Sequence, residues 1–243
     1  MSSQRSFFLE ISKKNFLLKK IYLYYNIYIR NFKFHFKSSQ FNEEDIILKM
    51  FHKGFIGIYM DIGCFHPVRH NNTFKMYKKG WSGTNIDLNR LTIDLFNVAR
   101  PNDLNLCCAV SNKIEKKKIY YSGDLSPLNT INFKHINILN KLFGTKIKDL
   151  KVKKTKTVKL QNIIDKNKIF NINFLNLDIE GQEFDVLKNI NFKKVSIDAI
   201  SVEMFNYDQK SKIRNKKIIN FLKKKKFDLK KIIGVNYIFK KIN

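Results

Sequence analysis

The sequence predicts an α/β protein: a doubly wound, mainly parallel sheet of five strands that ends in an antiparallel β-hairpin. Two observations carry this. After the helix that opens at Ser39, short apolar runs alternate with helical stretches, as strands joined by crossover helices do. Beyond residue 226 the period changes to two around a Gly-Val-Asn turn, which makes a hairpin. The 243 residues, 44% of them hydrophobic, fit one sizeable domain and can fill its core.

Residues 1–38 are a basic, aromatic-rich lead with no single dominant period, ending in "KFHFKSSQ". The lead reads either as a surface-bound amphipathic helix or as a loosely ordered arm. The domain proper is expected over 39–243. "SSQFNEEDIILKMF" opens it, with Ser39 as helix cap and Glu43, Glu44 and Asp45 in the first turn, where they complement the helix dipole. A β-rich run ends at Asp61. A helical stretch from Asn72 to Lys79 stops at Gly80, and "GTNIDLN" is the second strand. "RLTIDLFNVARP" is the next helix, closed by Pro101, and "LNLCCAV" the third strand.

Residues 113–168 are less regular. They hold a strand at "KKKIYY", a turn near Pro127, a helix at 132–143 and the charge run "KIKDLKVKKTKTVK", where an insertion or lid would sit. "NINFLNLD" gives the fourth strand, "GQEFDVLKNI" its helix and "IDAISVE" the fifth strand. A Lys-rich helix over 210–226 precedes the hairpin.

The formal net charge of +27 comes from 47 basic and 20 acidic residues. Forty-one of the basic residues are lysine, and the chain is crowded with Asn, Ile, Phe and Tyr, the skew of an AT-rich coding sequence. Codon bias spread over a solvated surface therefore outweighs a dedicated nucleic-acid face, although the field still attracts anionic membranes. The longest apolar run, "IYLYYNIYI" at 21–29, falls well short of the roughly 20 residues that cross a bilayer. The start lacks a secretory cleavage pattern, so the chain is expected in the cytoplasm, with its lead resting on the inner membrane face. Cys64, Cys107 and Cys108 suit neither a disulfide framework nor a metal site and are expected as small buried hydrophobes.

"YMDIGCFHP", residues 59–67, spends one of nine glycines and one of three prolines within five positions. In an open α/β sheet a ligand sits beyond the carboxyl ends of the strands, beside the first strand. Gly63 falls there, where a missing side chain lets a ligand approach the backbone. A dinucleotide site needs G-x-G-x-x-G, but Cys64, Phe65 and His66 fill those places, which argues against NAD and a dehydrogenase. The strand order resembles class I, Rossmann-like S-adenosylmethionine-dependent methyltransferases instead. In that reading Asp61 reaches the methionyl amine, directly or through water, and Asp87 grips the ribose hydroxyls.

"SQFNEEDIIL", "YMDIGCFHPVRHNNTFKMYKKGWSGTNIDLN", "RPNDLNLCCAVS" and "FLNLDIEGQEFDVLKNINF" resemble, in order and spacing, the FkbM family of methyltransferases. The resemblance runs from about Ser39 to Glu203. It implies O-methylation of sugar or related hydroxyls in a glycan or small-molecule substrate. It also implies that Asp61, Gly63 and Asp87 hold S-adenosylmethionine, with Cys64 and Asn89 adjoining them and Ser111 near the adenine. Cys64 stands where Ala is more usual, and Gln182 replaces a frequent His.

Methyl transfer to a hydroxyl requires an in-line approach and a fate for the proton. Asp178 and Glu180, at the fourth strand's end, either accept that proton or hold a divalent cation that acidifies the hydroxyl. Glu183 fits a helix-dipole role. Glu203 ends the fifth strand on the same rim, and His66 is a further candidate base. Two rival classes remain. A nucleic-acid amino-methyltransferase would want an N/D-P-P-Y-like turn where this chain has Asp178-Ile179-Glu180-Gly181, so no specific nucleic-acid partner is expected. A non-catalytic membrane or polyanion module would not need the cofactor constellation.

Overall fold

The computed structural model describes residues 15–121, 123–126, 129–133, 136–137, 150–179 and 181–242. At its centre lies strand β1 (Ile58–Ile62), paired in parallel with β2 (Ser82–Asp87) on one side and β7 (Asn171–Leu177) on the other. β3 (Leu104–Cys107) extends the sheet beyond β2, and β8 (Ser196–Glu203) extends it beyond β7, both parallel. The hairpin β9 (Phe227–Ile233) and β10 (Asn236–Lys241) then adds β10 antiparallel against β8. The order is therefore β3-β2-β1-β7-β8-β10-β9, the expected five parallel strands and antiparallel hairpin. The chain winds outward from β1 to β3 and then returns to β7, so the winding reverses between β1 and β7. A crevice opens beyond the carboxyl ends of strands at such a reversal.

Alternation along the strands sends neighbouring side chains to opposite faces. Tyr59, Phe174, Ala199 and Ile238 pack with Ile47 of α2 (Glu43–Leu48), Met76 of α3 (Phe74–Lys78) and Trp81. Met60, Ile62, Leu175 and Ile200 pack under α5 (Leu160–Lys166), α6 (Glu183–Lys188) and α7 (Gln209–Lys224). Fully buried residues such as Phe174 and Leu175 each contribute about 1.5–3 kcal/mol relative to exposure. Trp81 serves packing, with its indole N–H donated to the Phe55 carbonyl at 2.9 Å.

Residues 16–35 are helical and docked. α1 (Phe16–Tyr24) runs into a π-helical turn (Tyr25–Arg30) and a short 3-10 turn (Phe32–His35). Tyr22, Leu23 and Ile27 share a core with Val68, Phe74 and with Leu91 and Leu95 of α4 (Arg90–Ala99). Lys19 pairs with Asp94 at 2.6 Å.

Several local expectations change. "LNLCCAV" is two strands: the Cys108 amide bonds the Asp87 carbonyl, and β4 (Ala109–Ser111) leaves to join a second sheet, β4-β6-β5. Cys107 is consequently exposed and Cys108 only half-buried; Cys64 alone of the three is fully buried. The lysine run becomes a nine-residue strand, β6 (Lys151–Lys159), antiparallel to β5 (Lys116–Tyr121). Ser39 caps nothing; Asn42 precedes α2 in a left-handed conformation. Most of the expected helix at 132–143, and Pro127, lie outside the described residues.

Candidate functional site

The crevice is real and about 480 Å³ in volume, within the range of small-molecule sites. The strand exits build its floor. Gly63, with φ of +81°, follows β1, and its amide bonds the Ile86 carbonyl at 2.9 Å. A Cβ at this position would sit 1.7 Å from the Asp178 carbonyl oxygen. Glycine is thus required first by the neighbouring strand exit, which crosses the turn, and any ligand approaches a backbone already pinned in place. Asp178 follows β7, donates its amide to the Ile62 carbonyl at 2.9 Å and lines the crevice.

Asp87 ends β2 and lines the opposite wall. Its carboxylate accepts the Asn89 amide at 2.6 Å and the Phe65 amide at 3.1 Å. Burial raises its pKa to about 6 against those two hydrogen bonds, with the nearby Asp61 charge adding to the rise. Phe65 holds the unusual φ of +52°, its carbonyl accepting the Thr92 hydroxyl and its ring lying under the Arg69 guanidinium at 4.9 Å. The turn is therefore fixed from both ends, by β2 and by α4.

Beneath the turn lies a buried polar layer that the sequence did not disclose. Asp61, 1% exposed, accepts hydrogen bonds from Asn176 at 2.9 Å, Thr73 at 3.0 Å and Asn71 at 3.2 Å, and burial raises its pKa. The fully buried Arg100 donates to Thr73, Tyr59, Asn85, Asn71 and the Pro67 carbonyl at 2.7–3.4 Å. Tyr59 in turn donates to Asp103. One guanidinium thus ties the first-strand turn to the floor of the sheet. Arg100 stands in the "ARP" that closes α4, and its position before Pro101 is the only signal the sequence carries.

The candidate residues divide accordingly. Gly63, Asp87, Asp178 and Glu203 all line the crevice. Asp61 lies behind it as an organiser of the turn. Cys64 packs between Ile93 and Phe96. Asn89 caps α4, accepting the Leu91 amide at 3.0 Å, and positions Asp87 through its own amide. Ser111 is fully buried with its hydroxyl beside Lys117 Nζ at 3.2 Å; its neighbours Cys108, Ala109 and Val110 reach the crevice instead. His66 presents no basic nitrogen to the crevice. It is 1% exposed, its Nδ1 accepts the Val68 and Arg69 amides at 3.1 Å, and its Nε2 lies 3.2 Å from the Asn31 side-chain amide. Burial and neighbouring cations lower its pKa to about 3, so it stays neutral. Glu180 lies outside the described residues.

The lining has a distinct charge. Of the described residues around the crevice, Glu43, Asp87, Asp178 and Glu203 are carboxylates, Arg69 and His70 are the basic side chains, and none is lysine. Glu43, expected only to complement a helix dipole, also accepts the Asn236 side-chain amide at 2.7 Å and the Phe41 amide at 2.8 Å, tying α2 to the hairpin.

No curated protein and no solved structure matches the chain. The methyltransferase FkbM domain family matches residues 61–229, from the carboxylate beneath the first turn into β9, and so takes in the exits of the five parallel strands that build the crevice floor. The chain belongs to the FkbM methyltransferase family.

Proposed function

We propose an S-adenosylmethionine-dependent O-methyltransferase whose acceptor is a hydroxyl of a sugar, glycan or related small metabolite. The observation that carries this is that none of the described residues lining the crevice is lysine, in a chain with 41 lysines. Carboxylates interleaved with the amides Gln40, Asn72, Asn129 and Asn236 suit a neutral, hydroxyl-rich ligand that needs acceptors and donors in turn. A polyanion would meet repulsion there, which disfavours nucleic acid despite the net charge.

S-adenosylmethionine supplies a methyl group on a positively charged sulfur, and an acidic wall favours that charge. Asp87 fits the nucleoside end: its oxygens are held by two backbone amides, leaving lone pairs directed into the crevice for ribose hydroxyls. Gly63 keeps the floor low beside it. Asp178 stands at the next strand end, where a carboxylate oxygen takes the acceptor's hydroxyl proton as the new O–C bond forms. Asp61 acts as a positioning residue through Asn71, Thr73 and Asn176. The other role for Asp178 and Glu180 is to hold a divalent cation; among the described residues, which do not include Glu180, no group of three or more His, Cys, Asp or Glu is assembled, so the remaining ligands would come from water and substrate.

Calorimetry with S-adenosylhomocysteine and NAD tests the cofactor, and a labelled methyl donor offered with glycan extracts tests the acceptor. Asp178→Asn is expected to keep affinity for S-adenosylhomocysteine within about threefold while turnover falls by roughly a hundredfold or more. Loss of binding together with turnover would move Asp178 from proton acceptor to cofactor ligand. Absence of heat with the parent protein would remove the whole reading.

A further inference from the structure

The docked N-terminal segment is apolar on both of its faces. The inner face, Tyr22, Leu23 and Ile27, is accounted for by α4 and the turn before α3. Among the described residues the outer face is not. Leu17, Ile21, Tyr24 and Tyr28 follow one another at three- and four-residue spacing and are 65, 50, 49 and 44% exposed. The stripe then continues through ring contacts, Tyr24 to Tyr28 at 5.7 Å, Tyr28 to His35 at 5.8 Å, His35 to Phe32 at 6.4 Å and Phe32 to Phe36 at 5.4 Å. Phe32 is 60% and Phe36 73% exposed. Contiguous exposed apolar side chains, unlike scattered single ones, mark an interaction surface, so water is not the natural neighbour of this stripe.

The charges bordering the stripe identify what is. Residues 15–42 contain Lys19, Lys20, Arg30, Lys33 and Lys37 and no Asp or Glu. Lys20, Lys33 and Lys37 are exposed beside the stripe, while Lys19 is engaged by Asp94. Aromatic and aliphatic side chains flanked by unopposed cations are the composition of a segment that lies in the headgroup region, its rings at the acyl boundary and its lysines on anionic headgroups. No helix among the described residues is long and apolar enough to cross a membrane, so contact is in the plane.

We propose that this outer stripe, running from Leu17 to Phe36, docks the enzyme on an anionic lipid surface. The inner face of the same segment holds the crevice together: Asn31 meets His66, and the Ser38 carbonyl accepts the Asn71 amide at 3.2 Å. Docking and catalysis thus use opposite sides of one segment.

Because of that inner face the test uses outer-face substitutions in the full chain and not a truncation. Vesicles of phosphatidylcholine, with and without phosphatidylserine, are the probe, read by co-sedimentation. The parent is expected to bind the phosphatidylserine vesicles and to bind neutral ones at least several-fold less. The combined variant Leu17→Ser, Ile21→Ser, Phe32→Ser and Phe36→Ser should lose roughly tenfold or more in partitioning with its affinity for S-adenosylhomocysteine intact. A charge control, Lys216→Ser with Lys223→Ser in α7 on the opposite face of the sheet, should bind as the parent does. Equal loss in the control would reduce the effect to net charge and overturn the proposal. So would unchanged lipid binding in the stripe variant, including the case where the variant instead abolishes a dimer of the parent seen by light scattering.

Discussion

Lowering the pH should weaken cofactor binding through Asp87, and the part of the change that vanishes in Asp87→Asn separates it from the other groups whose pKa burial shifts, Asp61, Glu44 and His70. Its carboxylate, with a pKa raised to about 6, has each oxygen anchored by a backbone amide, that of Phe65 or of Asn89. If only the ionised form accepts the ribose hydroxyls, the observed dissociation constant scales as one plus the ratio of protonated to ionised Asp87. That factor is about 1.1 at pH 7, about 2 at pH 6 and about 11 at pH 5, a loss of roughly 1.4 kcal/mol over two pH units. The ligand's α-carboxyl titrates well below this window and its α-amine above it. His66, with a pKa near 3, does not titrate there either. Calorimetric titration of S-adenosylhomocysteine at a series of pH values reads the curve directly. Asp87→Asn should flatten it and bind more weakly at pH 7, because one of the two backbone amides then faces an NH₂ group. A flat profile in the parent, or an unchanged slope in the variant, would refute the assignment of the nucleoside end to Asp87.

Gly63→Ala should lower stability by at least about 2 kcal/mol, a shift of roughly 5 °C or more in melting temperature, and abolish S-adenosylhomocysteine binding, since the new methyl collides with the Asp178 carbonyl at a positive φ. Arg100→Met should cost roughly 3 kcal/mol or more in chemical denaturation, and Arg100→Lys should not restore it, because an ammonium cannot reach five acceptors held in a planar fork. Glu44, fully buried against Ser38 and the Lys75 amide, has its pKa raised by burial to about 7, above its ordinary 4.5. Its contribution to stability is complete below pH 4.5 and is lost as pH rises through 7, so Glu44→Gln should gain about 2–3 kcal/mol on the parent between pH 5 and pH 8 in urea unfolding. The direction of that change is the check: a variant that gains toward acid pH would contradict it.

The sheet was legible because strand and helix periods are local and the order of elements admits few topologies. Where charge overlay hid the period, reading failed. β6 carries lysine at five of its nine positions, so although "KKKIYY" reads as the strand β5, its partner reads as a solvated charge run. α5 was missed for a different reason: Leu160, Ile163 and Ile164 mark its buried stripe, but the helix is only seven residues long. "LNLCCAV" reads as one strand because nothing in its seven letters, six of them apolar, announces that the Cys108 amide turns back to Asp87.

The site shows the limit more sharply. Strand ends told where ligand-facing groups begin, and Gly63, Asp87 and Asp178 stand at three of them. Adjacency could not tell which way the next side chain points. His66 looked like a base beside a cofactor turn, yet amides only two and three residues ahead, Val68 and Arg69, occupy its Nδ1 and make it a strut. Arg100 was invisible for the converse reason: its acceptors come from residues 59 to 85, and only the folded sheet gathers them. The same argument reassigns the N-terminal segment. Its basic, aromatic composition and lack of a single period set it apart from the domain expected over 39–243, but Asn31 against His66 makes it a wall of the turn after the first strand. Removing the segment should therefore cost the crevice its shape as well as the protein its apolar outer face, and only substitutions that leave Asn31 and Ser38 in place can separate the two effects.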